Sequence, residues 1–479
     1  MDSHEIMRKF SEKKQSGTDT GHNRKCYDRL SILLDEGSFV ELNSLVRSRE
    51  LSTVFKRPAV DGDGVVTGYG SIDGQTVYVA VQDPEIYGGS MGHMHSLKIR
   101  EAAEQAIRSE VPFIILCDTG GARIEEGILA LEGLSELMST LSAASEIIPL
   151  ISVILGPCPG GGAVAAGLAH FRLMSGERGM AFMNGPMVTA ATEGISAEPS
   201  EIGGTDVHSS KTGFASFVYE TDKECLEAVR YLVSYFPGFG EFCQEDMCND
   251  DPNRTETALD DLASAMDSGY SADELVRYVF DSGSILEVNA GYQQGIMTAL
   301  AKMDGAPVAV IANRSSRLEP GDVIKLIRFI RSCDLLSLPL VSFVDCEGFS
   351  IGMKYEYTDI LERTAELYKA IDSYSSVKIA VITGKAIGTA FLTLSGKNAG
   401  FDFVYAWPTA QIAVVDPDTA ANILYRNEIA SSDDVILSRK DFTDKYAAEV
   451  AAPQTAAAAG YVDERSEEHT SELQSRITI

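Results

Sequence analysis

The sequence is poor in the residues on which many enzyme sites depend. Its 479 residues include one tryptophan and seven histidines, and no two of its eight cysteines form a CxxC pair. It contains neither a GxxxxGK[ST] loop nor an HExxH motif, which argues against a P-loop and a zincin site. A GxSxG motif occurs at Gly348–Gly352, but the only later histidine is His469, so Ser350 lacks the base of a nucleophile elbow. We therefore predict neither a side-chain nucleophile nor a metal site.

Positive charge and long apolar runs are also scarce. Lysine and arginine number 40 against 70 acidic residues, and a net charge of −30 argues against a nucleic-acid partner. No apolar run reaches the ~20 residues of a membrane span. The first residues, MDSHEIMRKFSEKK, lack the apolar segment of a signal peptide. Since the cysteines fit free thiols in a reducing compartment, we expect a cytoplasmic protein.

Glycine, in contrast, is concentrated where chemistry is expected. The stretch Gly156–Gly167, GPCPGGGAVAAG, follows an apolar run that predicts a buried strand and precedes a helix of small residues. The first N–H groups of a helix have no intrahelical acceptor, and the helix dipole favours negative charge there. The stretch thus predicts either a donor site for an anionic oxygen or a tight turn that serves packing.

The same order of elements recurs later in the chain. The run PFIILCD ends at Asp118 and the run PLVSFVD ends at Asp345. Gly161 follows the first run by 43 positions, and Gly388 follows the second by 43. A shared order at one long spacing indicates an internal duplication of one α/β domain.

We accordingly predict two tandem domains. The N-terminal domain spans 1–245, an acidic linker spans 246–262, and the C-terminal domain spans 263–464. The segment 465–479 begins RSEEHTSELQS, which resembles an in-frame translation of a sequencing adapter. We exclude it from fold reasoning and expect the natural C-terminus to be absent.

Paired glycine turns favour one kind of chemistry. Backbone N–H groups that are fixed in a dry site stabilise an oxyanion that develops on a carbonyl, and removal of one such donor costs ~2.7–4 kcal/mol. Two such holes, one in each domain, suit a reaction between two carbonyl partners.

Several motifs, in the same order along the chain, resemble one family. They are those of the carboxyltransferase β subunits of biotin-dependent acyl-CoA carboxylases and of the carboxyltransferase subunits of sodium-pumping decarboxylases. The motifs include Asp118–Gly127, Gly156–Phe171, Glu201–Ser209, Phe343–Phe349 and Tyr405–Ala413, and the resemblance covers residues 20–464. It implies two crotonase-like domains of the ClpP/crotonase superfamily, in agreement with the duplication.

The resemblance also implies site residues. Gly160 and Gly161 match the hole for the thioester oxygen, and Gly388, Thr389 and Ala390 match the hole for the ureido oxygen of biotin, where the family commonly has Gly-Gly-Ala. Residues near the acyl-CoA side, including cations that would offset CoA phosphates, are Lys98, Arg100, Gly120, Gly121, Ala122, Arg123 and Leu392.

The implied reaction moves a carboxyl group between carboxybiotin, held on a separate carrier protein, and the α-carbon of a short acyl-CoA. The implied substrates are propionyl-CoA and methylmalonyl-CoA or acetyl-CoA and malonyl-CoA. The implied partners are a biotin carboxyl carrier protein with biotin carboxylase or a membrane decarboxylase subunit. Family members form homo-oligomers, usually hexamers, whose sites combine the N-domain of one subunit with the C-domain of another.

Three alternatives stay open. The same half-reaction can run in reverse in a sodium-pumping decarboxylase. A crotonase-like CoA hydrolase or isomerase would need no biotin. A degenerate subunit would serve assembly alone.

Overall fold

The computed structural model describes residues 25–49, 59–194, 197–236, 258–259, 262 and 271–465. The chain divides into two compact units, and residues 271–465 all lie in the second. The predicted boundary at 245 and most of the predicted linker 246–262 lie outside the described residues. So do Cys243, Cys248 and the segment after Arg465.

The first unit holds the elements from α1 to α7. Its helices are α1 (Lys25–Leu33), α2 (His93–Ser109), α3 (Ile128–Ala144), α4 (Gly161–Gly167), α5 (Pro186–Glu193), α6 (Pro199–Gly203) and α7 (Asp222–Val233). Its strands are β1 (Val40–Leu42), β2 (Val65–Ile72), β3 (Gln75–Gln82), β4 (Phe113–Cys117), β5 (Leu150–Ile154), β6 (Pro157–Pro159), β7 (Phe171–Ser175), β8 (Met180–Phe182) and β9 (Phe217–Tyr219).

One mixed sheet organises this unit. Its strand order is β1-β2-β3-β4-β5-β7-β9. The first three strands pair antiparallel, and every pair from β3 onward is parallel. All residues of β4 and β5 are buried, as expected of parallel strands covered on both faces. The continuous apolar runs of the sequence therefore become the centre of the sheet.

The second unit repeats this plan. Its helices are α8 (Ala272–Val279), α9 (Pro320–Leu335), α10 (Met353–Glu356), α11 (Ile360–Asp372), α12 (Thr389–Leu394), α13 (Pro417–Leu424), α14 (Arg426–Ser431), α15 (Val435–Glu449) and α16 (Pro453–Ala458). Its strands are β10 (Leu286–Glu287), β11 (Ile296–Met303), β12 (Ala306–Asn313), β13 (Leu340–Cys346), β14 (Lys378–Ile387), β15 (Phe403–Ala406), β16 (Gln411–Ala413) and β17 (Glu464–Arg465).

The second sheet has the order β10-β11-β12-β13-β14-β15-β17, and β16 also pairs with β14. Its first three strands pair antiparallel and the remaining pairs are parallel, as in the first unit. Trp407, 6% exposed, packs in the core of this unit. The predicted pair of α/β domains from one duplication is confirmed by the two matching sheets.

A buried lysine in each unit marks the duplication at the level of side chains. Lys98 Nζ on α2 donates to the carbonyls of Gly62 and Val65. Lys325 Nζ on α9 donates to the carbonyls of Gln293 and Ile296, at 3.3 and 2.9 Å. Both ammonium groups thus bind the backbone where the second strand of the sheet begins, β2 in one unit and β11 in the other.

Candidate functional site: two glycine turns

The first turn, Gly160–Gly162, joins β6 to α4. Gly160 has φ 59° and ψ −129°, a conformation that L side chains rarely adopt. Its N–H donates to the carbonyl of Phe182 on β8 at 2.8 Å, and its own carbonyl accepts from Val164 at 3.1 Å. The N–H groups of Gly161 and Gly162 belong to the first turn of the helix and have no intrahelical acceptor. These two groups form the donor pair at this turn.

Close packing behind the turn explains the second and third glycines. A Cβ on Gly162 would lie 3.2 Å from Thr119 Cγ2 and 3.4 Å from Met91 Sδ. A Cβ on Gly161 would lie 3.0 Å from Leu134 Cδ1. The turn is therefore held against α3 and the end of β4, so packing and donor geometry both require glycine here.

The second turn, Gly388–Ala390, has the same backbone. Gly388 has φ 57° and ψ −127°, and its N–H donates to the carbonyl of Ala413 on β16 at 2.8 Å. Helix α12 begins at Thr389, whose N–H and that of Ala390 lack intrahelical acceptors. Thr389 is exposed and Ala390 is buried. A β-branched residue at this position therefore does not disturb the conformation of the turn.

The two backbones correct the register of the sequence comparison. Gly388 matches Gly160, not Gly161, since both glycines precede a helix with the same dihedral angles. Thr389 then matches Gly161, and Ala390 matches Gly162. The connection in the second unit is one residue longer, so equal spacing in the sequence paired neighbouring positions. Sequence reasoning thus missed Gly162 as a donor, although its place in the first turn of a predicted helix indicated a free backbone N–H.

The predicted acyl-CoA segment lies beside the first turn. Gly120 is exposed and its N–H donates to Gly88 O at 2.9 Å. Gly121 has φ 86°, and a Cβ on it would lie 3.1 Å from Pro159 Cγ, one residue before the turn. Ala122 pairs with Met91 in an isolated bridge. The structure therefore places Gly121 beside Pro159, the residue before Gly160, with Gly120 and Ala122 as its chain neighbours.

The three cations that were predicted to offset CoA phosphates already have partners within the first unit. Lys98 is 1% exposed and bound to backbone carbonyls. Arg123 is 3% exposed and pairs with Asp63 at 2.6 Å and Glu126 at 2.8 Å. Arg100, 26% exposed, pairs with Glu136 at 2.6 Å. These contacts favour structural roles for all three, because each cation already has partners within the first unit.

Burial sets the protonation of this network. Desolvation raises the pKa of Asp63, while the Arg123 guanidinium opposes that rise. Burial also lowers the pKa of His95 to about 3. The imidazole therefore stays neutral, with Nδ1 2.9 Å from Asp63 O and Nε2 3.2 Å from Gln82 Nε2. These partners assign the proton to Nδ1.

Exposed apolar side chains lie along both turns. Leu392 on α12 is 54% exposed, so it does not belong to the core of its unit. Val414 is 81% exposed, and its carbonyl would lie 3.0 Å from a Cβ on Gly388. Met183 is 72% exposed and stands beside Gly160 in the same way, with its carbonyl at 4.0 Å. Each donor pair is thus accompanied by apolar surface.

Other types of site find no support in the part of the chain that the structure describes. Within that part, no group of three or more His, Cys, Asp or Glu side chains is arranged to hold a metal ion. No described helix is both long and apolar enough to cross a membrane. Six described cysteines are buried and form no disulfide bond: Cys26, Cys117, Cys158, Cys225, Cys333 and Cys346.

Comparisons with known proteins agree with the geometry. Residues 21–477 match the family described as carboxyl transferase domain. The chain is 35% identical to methylmalonyl-CoA decarboxylase subunit alpha of Propionigenium modestum, over 93% of this chain and 87% of that protein. It is also 35% identical to the propionyl-CoA carboxylase beta chain of Cereibacter sphaeroides, over 91% and 86%.

A solved structure matches the whole chain as well. The hexameric transcarboxylase 12S, with methylmalonyl-coenzyme A and methylmalonic acid bound, superposes with a TM-score of 0.90 at 32% identity. The alignment covers 100% of this chain and 94% of that one. The tandem crotonase-like fold that the sequence predicted is thereby confirmed. The chain belongs to the carboxyl transferase domain family and is a carboxyltransferase.

Proposed function

We propose that this chain is the subunit that transfers a carboxyl group between carboxybiotin, held on a separate carrier protein, and the α-carbon of a short acyl-CoA. The observation that carries the proposal is the pair of turns with one backbone conformation, each presenting two N–H donors. The substrate pair is propionyl-CoA and methylmalonyl-CoA, or acetyl-CoA and malonyl-CoA. The names of the relatives support the methylmalonyl pair.

The first turn serves the acyl-CoA. The N–H groups of Gly161 and Gly162 donate to the thioester oxygen as it gains negative charge, with each donor worth ~2.7–4 kcal/mol in the transition state. Gly160 precedes the helix, and its own N–H donates to the carbonyl of Phe182, so it is not one of the two donors. Gly120, Gly121 and Ala122 line the approach of the substrate.

The second turn serves biotin. Gly388 forms a cradle without a side chain, and the N–H groups of Thr389 and Ala390 fit a ureido oxygen that accepts two hydrogen bonds. Biotin, when bound, supplies the transferred carboxyl group and the base for the α-proton. The protein then needs to contribute only position and donors, which agrees with the scarcity of histidine.

Direction and assembly follow the relatives. One of them is a decarboxylase subunit, and this favours the reverse half-reaction as a second candidate. The solved relative is a hexamer, and we infer a cytoplasmic homo-oligomer that works with a carrier protein and either biotin carboxylase or a membrane decarboxylase subunit.

Transfer of labelled carboxyl from methylmalonyl-CoA or malonyl-CoA to free biotin tests the proposal. We expect transfer that depends on biotin and slows by about 10²–10³ when the Thr389 donor is removed. Hydrolysis or isomerisation of acyl-CoA without biotin would support a crotonase-like enzyme of another class. Binding of acyl-CoA without transfer to biotin, from any short acyl-CoA, would instead support an assembly subunit.

A further inference from the structure

Three charged side chains, Arg317, Glu347 and Lys385, form one ion-paired group near the second turn. Lys385 on β14 lies three residues before Gly388, about 10 Å along an extended strand. Its Nζ lies 2.6 Å from Glu347 Oε1, and Arg317 Nη2 lies 3.2 Å from Glu347 Oε2. Each oxygen of one carboxylate is thus held by a separate cation.

The rest of the second unit fixes this arrangement beside the turn. The backbone N–H of Lys385 donates to Asp345 Oδ1 at 2.8 Å, which fastens the end of β14 to β13. Gly348, which follows Glu347, has φ 120°, and a Cβ on it would lie 3.9 Å from Ile387 O and 4.0 Å from Arg317 Nη1. The charged group and the last residue before Gly388 therefore share one small region.

The duplication supplies an internal control. The bridge Met91–Ala122 of the first unit matches the bridge Leu318–Phe349 of the second. From this register, Arg317 and Glu347 replace the uncharged Ser90 and Gly120, and from the match of Gly388 to Gly160, Lys385 replaces Pro157. The first turn has no such group at these positions, so the charges are a feature of the second turn and not of the shared fold.

The three side chains are also open to a ligand. Arg317 is 31% exposed, Glu347 25% and Lys385 39%. A carboxylate between two cations is the arrangement that an incoming carboxylate would adopt.

We infer that Lys385 and Arg317 form a subsite for the carboxylate of the carboxylated ligand at the second turn, and that Glu347 holds this subsite until the ligand displaces it. The inference rests on the proposed function and adds to it the residues that distinguish carboxylated from uncarboxylated biotin. The N–H groups of the turn bind an oxygen that both forms carry, so they cannot make that distinction.

Equilibrium binding to the whole chain tests this with two stable biotin derivatives. One carries a carboxymethyl group on the ureido nitrogen, and the other carries the neutral carbamoylmethyl group of the same shape. We expect calorimetry to show roughly tenfold tighter binding of the charged derivative, as one charge-assisted contact gives. Lys385→Met should reduce that ratio, because Arg317 alone then faces the carboxylate, and Glu347→Gln should increase it because the competing carboxylate is removed.

Lys397→Met is the matched control, since Lys397 pairs with Asp463 in the same unit and lies outside this group. It should leave the ratio unchanged, and thermal melting should show all variants folded. Equal binding of both derivatives to the wild type, or an undiminished ratio in Lys385→Met, would overturn the inference while label transfer to biotin continued. Failure of the proposed function would differ, because neither derivative would bind and no label would reach biotin.

Discussion

The two units share a backbone and differ in where they place charge. In the first unit, Arg123 is buried in ion pairs with two buried carboxylates, Asp63 and Glu126. In the second unit, Arg317, Glu347 and Lys385 stand at the surface beside the turn. Duplication thus kept the donor geometry, while the charged side chains near the two turns lie at different positions, buried in the first unit and partly exposed in the second.

Replacing Arg123 should have the largest effect, which we expect on stability. Arg123→Gln leaves Asp63 and Glu126 buried without their cation, and loss of one partner from a buried ion pair costs about 3–5 kcal/mol. Urea unfolding should show this loss. The half-exposed Arg100→Gln should cost less than about 1 kcal/mol. If Arg123→Gln instead preserved stability and raised only the KM for acyl-CoA, Arg123 would contact the substrate phosphates.

The donor of the second turn can be removed without removing the helix. Thr389→Pro deletes the N–H at the first position of α12, where proline fits a helix start. We expect kcat for carboxyl transfer to fall by 10²–10³, which corresponds to about 2.7–4 kcal/mol. Thr389→Gly keeps the N–H and reproduces the first turn, so its kcat should stay within about threefold of the wild type.

Acyl-CoA binding provides the control for this pair. It should be equal in wild type, Thr389→Pro and Thr389→Gly, because the first turn is untouched. A large gain of kcat in Thr389→Gly would mean that the threonine obstructs the ligand and that the second turn is impaired in this chain.

The sequence predicted the order of strands and helices better than it predicted which charged side chains are buried. Apolar runs such as Phe113–Cys117 became central strands because parallel strands bury both faces. The match of Gly388 to Gly160 was missed, since a one-residue difference in a loop leaves the order of elements unchanged. The resemblance predicts that Lys98 offsets CoA phosphates, yet Lys98 lies on the buried helical face that carries His95 and Ala102. The helical periodicity of these residues indicated that Lys98 is buried, because its position on the helix decides its burial more than its charge does.

Acid should affect matching positions of the two units in opposite directions. His95, near the start of α2, has a pKa that burial lowers to about 3, so its contribution to stability is present above pH 6.5 and is lost as the pH falls towards 3. Asp322, near the start of α9, has a pKa that burial raises. Its contribution to stability is therefore present in acid and is lost as the pH rises through the pKa of the folded state.

His95→Gln should therefore flatten the acid side of the stability curve. Between pH 6.5 and 4.5 the wild type should lose ~2 kcal/mol more than the variant in urea titrations. His170, whose pKa burial lowers to about 4, is present in both proteins and contributes a common background. Identical slopes for the two proteins would show that His95 is charged or accessible in the fold.

The smallest effect is expected at Leu392, where the two units are compared for their part in selecting the acyl group. Its side chain is 54% exposed, so Leu392→Ala should change the free energy of unfolding by less than about 0.5 kcal/mol. If it lines the acyl pocket, the ratio of kcat/KM for propionyl-CoA over acetyl-CoA should change by about 1 kcal/mol, or roughly fivefold, as one methylene contact does. Val164 on α4 is also exposed, at 39%, and Val164→Ala is the matched variant at the first turn. An equal change of ratio in both variants would assign acyl selection to both units, whereas a change in Leu392→Ala alone would assign it to the second.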